Sequence, residues 1–196
     1  MGLRHIERPA AGEPAGALVF FHGYYGIPED FLAFLDKVDP DRRLHGFLPQ
    51  GPRPLSEGRA SWFDFDAPAL EQLAPVSEWL DSLPFPAERM IFGGWSQGTA
   101  TAYVLALAAG RPCPAGVLAL GGSLPEDPPL DLERALPRVA IAHGTEDEAV
   151  PVERARRARD LLRRAGADVL YRESAIGHLI DQDMVPDLRA FVATLP

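Results

Sequence analysis

The sequence predicts an α/β fold, a mostly parallel central sheet with helices on both faces. Three observations carry this. Continuous apolar runs recur at residues 17–21, 90–92, 116–120 and 139–142, as in strands buried on both faces. Segments with helical patterning separate these runs, which argues strand–helix–strand crossovers. Turn residues close several of them: His22-Gly23, Gly121-Gly122 and His143-Gly144.

The elements follow in order. Residues 3–8 read as a short edge strand and residues 9–16 as a Pro/Gly/Ala connector. A short helix is expected over 31–38 and a weaker strand over 44–48. The loop Pro49-Gln50-Gly51-Pro52 comes next, and Ser61-Trp62-Phe63-Asp64 lies in a long irregular stretch. One helix is expected over 69–83. The 90–92 strand leads through glycines into an Ala/Leu-rich helix over 99–109. The 152–165 segment sets Val152, Ala155, Ala158, Leu162 and Ala165 on one face and arginines on the other, which reads as a solvated face. Gly166 is a C-cap. A last strand over 168–172 and a closing helix over 185–195 complete the pattern. No repeat, low-complexity tract or long linker divides the chain, so residues 1–196 are read as one domain.

Composition narrows the function classes. A net charge of −9 gives no basis for a general nucleic-acid binder. No apolar run approaches the ~20 residues of a membrane span. The first residues lack a signal peptide's apolar stretch. The single cysteine, Cys113, rules out an internal disulfide and favours a cytoplasmic location. No cysteine–histidine cluster or histidine–glutamate pair has metal-ligand spacing, so neither a metal nor another cofactor is expected.

The chemistry centres on Gly94-Trp95-Ser96-Gln97-Gly98, between an apolar strand and a helix. A serine hydroxyl is a weak nucleophile until a base takes its proton. It must stand clear of the backbone on a sharp turn, and such a turn leaves no room for flanking side chains. In hydrolases built on such a serine turn the base comes last along the chain, after the final strand, and of the five histidines only His178 does. His22 and His143 precede glycines at strand ends, where they suit backbone positioning. The acid should lie in the loop after the 139–142 strand; Asp147 is chosen, with Glu146 and Glu148 open on chemistry alone. An oxyanion hole needs two backbone N–H groups, assigned to Tyr24 and Gln97. As main-chain donors they leave both side chains free to vary.

Together these motifs resemble the phospholipase/carboxylesterase group of α/β-hydrolases, which includes the acyl-protein thioesterases. Phe21-His22-Gly23 is similar to its oxyanion loop, Pro49-Gln50-Gly51-Pro52 to its Pro-rich loop, and Ser61-Trp62-Phe63-Asp64 to its Trp-Phe-Asp segment. Leu120-Gly121-Gly122-Ser123-Leu124-Pro125, His143-Gly144…Asp147…Val150-Pro151 and Gly177-His178 resemble its later motifs. Tyr24-Tyr25 and Thr99 depart from it, and the chain is short for the group, so protein depalmitoylation is not carried over. The resemblance implies an α/β-hydrolase fold with a minimal lid or none. It implies a serine hydrolase of carboxylic esters with small to medium acyl chains, acting through Ser96, His178 and Asp147. Tyr25, Trp62 and Trp95 are expected to bind substrate, with Trp62 lining the pocket or, equally, anchoring its loop. An imidazole base predicts activity falling below about pH 6–7. The expected partner is a small ester or thioester, with a homodimer left open. Thioesterase, lactone or dienelactone-type hydrolase and non-catalytic binding module are the rival readings.

Overall fold

Alternation along each strand builds two cores, one on each side of a single sheet. In strand β2 (Gly16–Phe21), Ala17, Val19 and Phe21 face one core while Leu18 and Phe20 face the other. Both faces of such a strand are apolar because both are covered. The computed structural model describes residues 2–125 and 130–194. Edge strand β1 (His5–Arg8) precedes β2; helix α1 (Leu32–Val38) and strand β3 (Leu44–Pro49) follow it. A small hairpin joins β4 (Arg53–Pro54) to β5 (Ala60–Ser61). Then come α2 (Ala69–Gln72), α3 (Ala74–Asp81), β6 (Met90–Trp95), α4 (Gln97–Leu107), β7 (Gly116–Leu120), β8 (Arg138–Gly144), α5 (Val152–Arg164), β9 (Val169–Ser174) and α6 (Val185–Ala193).

The main sheet runs β1-β3-β2-β6-β7-β8-β9. Every pairing is parallel except that of β1 with β3. Helices α2 to α5 contribute to one core, and α1 and α6 to the other. After β2 the chain moves outward to β3, then returns on the other side of β2 as β6. Strand order therefore reverses between β2 and β6, and the crevice at such a switch point is where ligands bind in open α/β sheets.

Two details differ from the sequence reading. The helix expected over 69–83 is two helices, because Pro75 has no N–H to continue a ladder across Leu73. The irregular stretch holds the β4–β5 hairpin, which Gly26 bridges to Ala60. Arg8, at the end of the edge strand, is buried. Its guanidinium donates to the carbonyls of Leu35, Asp39 and Leu44 and pairs with buried Asp39 at 2.5 Å. Elsewhere patterning and structure agree. Helix α5 buries Val152, Ala155, Ala158 and Leu162. Gly166, at φ +92°, ends it as the N–H groups of Gly166 and Ala167 bond Arg163 and Leu162. Leu195, the last residue of the expected closing helix, lies outside the described residues. Among these, no helix is long and apolar enough to cross a membrane.

Candidate active site

The Ser96 turn is built by close approach. A Cβ on Gly94 would lie 2.1 Å from the Gly98 carbonyl oxygen, and one on Gly98 would lie 2.0 Å from that of Phe21. Both positions therefore require glycine. Ser96 itself sits at φ 56°, ψ −118°, a conformation L-residues avoid. Such strain costs about 1–3 kcal/mol and persists only where the surroundings impose it. Here β6, fully buried α4 and β2 do so. The turn sets Ser96 at the N-terminus of α4, whose first N–H groups, Gln97's among them, lack intrahelical partners.

Thr99 ties this turn to the next strand. Its hydroxyl accepts the Leu120 N–H at 3.0 Å and lies 2.7 and 2.8 Å from the carbonyls of Leu120 and Gly94.

The loops after β8 and β9 meet beside the serine. The Thr145 N–H bonds the Ser174 carbonyl, and the Glu146 N–H bonds that of Ile176. This stitching brings together three residues expected to act together. His178 Nδ1 lies 2.6 Å from Asp147 Oδ2, and His178 Nε2 lies 2.9 Å from Ser96 Oγ. With Nδ1–H donating to the carboxylate, Nε2 is left to accept the serine proton. Glu146 and Glu148 are exposed, whereas Asp147 is buried, so the carboxylate at His178 is Asp147's. Asp147 Oδ1 accepts the N–H groups of Ala149 and Val150 at 2.9 and 2.8 Å. Burial alone would raise its carboxyl pKa. The Val150 N–H and the His178 hydrogen bond, together with the electrostatic pull of the two neighbouring imidazoles, outweigh burial and hold it below the ordinary carboxylate range.

Behind these groups His143 and His22 hold backbone, the part their places before strand-end glycines suggest. His143 is buried, donates from Nε2 to the Val150 carbonyl at 2.7 Å, and lies 3.4 Å from Asp147 Oδ2. His22 accepts the Gly51 N–H on Nε2 at 3.0 Å, so its Nδ1–H donates to the Gly23 carbonyl at 2.7 Å. It thereby joins the turn after β2 to the Pro49–Pro52 loop. Burial lowers its pKa, in keeping with a neutral ring in that role.

Two expectations about side chains change, those for Gln97 and Trp62. Gln97 is not free to vary, because its buried amide accepts the Trp62 N–H at 3.0 Å and donates to the Phe63 carbonyl at 2.8 Å. Trp62 does not line a pocket: it has no exposed surface, and its indole N–H bonds the His22 carbonyl at 2.6 Å. It anchors its loop under the turn after β2. Tyr25, expected to bind substrate, is tied to the hairpin through the Ser56 hydroxyl at 2.7 Å and the Arg59 guanidinium over its ring. Trp95 lays its indole on the His178 ring, the centroids 4.7 Å apart. Tyr24 remains exposed beside Phe65 and lines a cavity of about 340 Å³ with Arg53, Leu55, Ser61 and Asp64. A Cβ on Gly23 would lie 3.5 Å from Ser96 Cβ, so the backbone leading into Tyr24 passes close to the serine. Phe65 was not singled out, since nothing in its local sequence marks a loop aromatic as part of this rim.

The parallel sheet, the switch-point crevice and the serine turn define an α/β-hydrolase fold. The chain belongs to the phospholipase/carboxylesterase family, which it matches over residues 4–196. It is 26% identical to acyl-protein thioesterase 1 of Gibberella zeae, with 94% of this chain and 92% of that protein covered. The esterase PE8 superposes with a TM-score of 0.85 at 26% identity, with all of each chain covered. The carboxylesterase of Bacillus cereus shares the fold, with a TM-score of 0.85 at 20% identity over 98% of this chain and 94% of that one. The family is one of hydrolases of the carboxylesterase and thioesterase type.

Proposed function

We propose that this protein is a serine hydrolase that cleaves carboxylic esters of small to medium acyl chains by two-step acyl transfer. Ser96 attacks the ester carbonyl as His178 Nε2 takes its proton. Asp147 fixes the His178 tautomer and balances the imidazolium as it forms. The N–H groups of Gln97 and Tyr24 hold the tetrahedral oxyanion; each such donor is typically worth 10²–10³ in rate. His178 then returns the proton to the departing alcohol. Water, deprotonated by His178, attacks the acyl-enzyme and releases the acid and Ser96. No step draws on a metal or other cofactor.

The observation that carries this reading is the hydrogen-bonded line from Ser96 through His178 to Asp147, at 2.9 and 2.6 Å. The strained serine supports it, because strain of this kind concentrates at functional sites. The likeness to a protein named as an acyl-protein thioesterase brings thioesters into the same mechanism, with a thiol leaving in place of an alcohol.

The test is hydrolysis of p-nitrophenyl and thiol acyl esters across a series of chain lengths, with wild type beside Ser96→Ala. The expected result is a rate that peaks at short to medium chains and falls at least 10³-fold in the variant. Equal rates in both proteins would refute the Ser96 mechanism.

A further inference from the structure

We propose that Trp95 is a positioning residue for the base: its indole face holds the His178 ring in line with Ser96 and stabilises that ring once it is protonated. The inference rests on the reading of His178 given above. Trp95 ends β6, directly before the serine, and one indole touches three parts of the site. Its ring and the His178 ring are tilted by 35° with centroids 4.7 Å apart. On the turn after β2, a Cβ at Gly23 would meet Trp95 Cε3 at 2.6 Å. On the turn after β7, a Cβ at Gly121 would lie 3.2 Å from Trp95 Nε1 and 3.8 Å from His178 Cε1. Phe31 stands against the indole at 6.0 Å. The glycines clear space on either side, so the indole fits between the base, the turn that carries the Tyr24 N–H and the turn after β7.

Electrostatics gives that contact a consequence beyond packing. A cation within about 6 Å of a tryptophan centroid is attracted to the negative face of the ring. His178 is neutral before Ser96 is attacked and carries the proton in the transition state. The indole therefore favours the transition state over the ground state, which is the kind of interaction that raises kcat. The indole N–H itself is buried with no hydrogen-bond partner. That unpaired buried donor is a cost of placing an indole here, set against the contacts the larger ring makes with the turns after β2 and β7. The titratable groups around the ring are Asp147 on Nδ1 and, behind it, His143 at 3.4 Å from Asp147 Oδ2. Glu146, on the same loop, is exposed.

The test compares Trp95→Leu and Trp95→Phe in kcat, KM and pH profile on one p-nitrophenyl ester, with Ser96→Ala alongside. Loss of the aromatic face should lower kcat roughly 5- to 30-fold with KM within about twofold. The sign of the pH effect follows from the charge. Without the face the imidazolium is less stable and gives up its proton at lower pH, so the acid limb moves down by about half a unit or more. Trp95→Phe, which keeps an aromatic face, should recover most of the rate and return the limb toward wild type. A merely looser site would lower the plateau and leave the limb in place. A Trp95→Leu limb at the wild-type pH, or no recovery in Trp95→Phe, would overturn the proposal while Ser96→Ala remained inactive. Wild-type activity in Ser96→Ala would instead overturn the underlying reading. Should Trp95→Leu not fold, Trp95→Met, unbranched and able to fill the space, carries the same expectations.

Discussion

Replacing Gln97 with leucine should unfold the protein more easily and disable it, although Gln97 is assigned its catalytic part through the backbone alone. Leucine has nearly the volume of glutamine, so packing changes little. The change removes an acceptor 3.0 Å from the Trp62 N–H and a donor 2.8 Å from the Phe63 carbonyl. Trp62 has no exposed surface and Phe63 very little, so water cannot replace either bond. Each buried group left unpaired costs about 1–3 kcal/mol, giving a loss of about 4 kcal/mol for the pair. In a chain of this length each kcal/mol moves Tm by about 2–4 °C, so a fall of roughly 8–16 °C is expected. The loss also loosens Trp62, whose indole N–H holds the His22 carbonyl, and with it the turn that leads to Tyr24. Urea denaturation gives the stability, and ester hydrolysis well below the midpoint gives kcat. A loss below about 1 kcal/mol would refute the argument that this amide anchors the Trp62–Phe63 segment.

Other expectations follow from the same geometry. Asp39→Ala takes the buried carboxylate from Arg8 and leaves it only that of Asp36, 3.2 Å away and partly exposed, which should cost about 3 kcal/mol in urea unfolding. Ser96→Gly should abolish hydrolysis yet raise stability by about 1 kcal/mol, because relief of the positive φ outweighs glycine's extra unfolded-state entropy; an equally stable or weaker variant would show the turn unstrained. The Arg156 guanidinium, hydrogen-bonded to Glu173, holds that carboxyl at about 2, below its ordinary 4.5. A depressed carboxyl stabilises the fold above its unfolded value, and that contribution is lost as pH falls from about 4.5 to about 2. Stability of Glu173→Gln, followed by thermal melts across that window, should therefore decline less steeply than that of wild type.

The parts of this molecule legible in the sequence are those with strong local signatures. Strands covered on both faces write continuous apolar runs, and the serine turn writes its glycines because a Cβ there would meet a carbonyl oxygen. His178 and Asp147 were locatable because each falls in a loop beyond a predicted strand. What escaped depends on contacts between segments far apart in the chain. The buried Arg8–Asp39 pair spans β1 and the end of α1, and Arg8 reads locally as an ordinary surface charge. The helix break at Leu73 was within reach of the sequence, since Pro75 stood in the middle of the expected helix. Trp62 carried two readings, pocket wall or anchor, that burial decides and patterning does not. Gln97 was read through its backbone, so the pairing of its amide with a segment 35 residues earlier went unseen.

The central claim is that Ser96, activated by His178, is the group acylated during turnover. Intact-protein and peptide mass spectrometry after treatment with a fluorophosphonate tests it most directly, run on wild type, Ser96→Ala and His178→Ala. A single adduct per chain on the peptide containing Ser96, absent in Ser96→Ala and slowed at least 10²-fold in His178→Ala, is the predicted result. An adduct on another residue, or equal labelling of all three proteins, would contradict it.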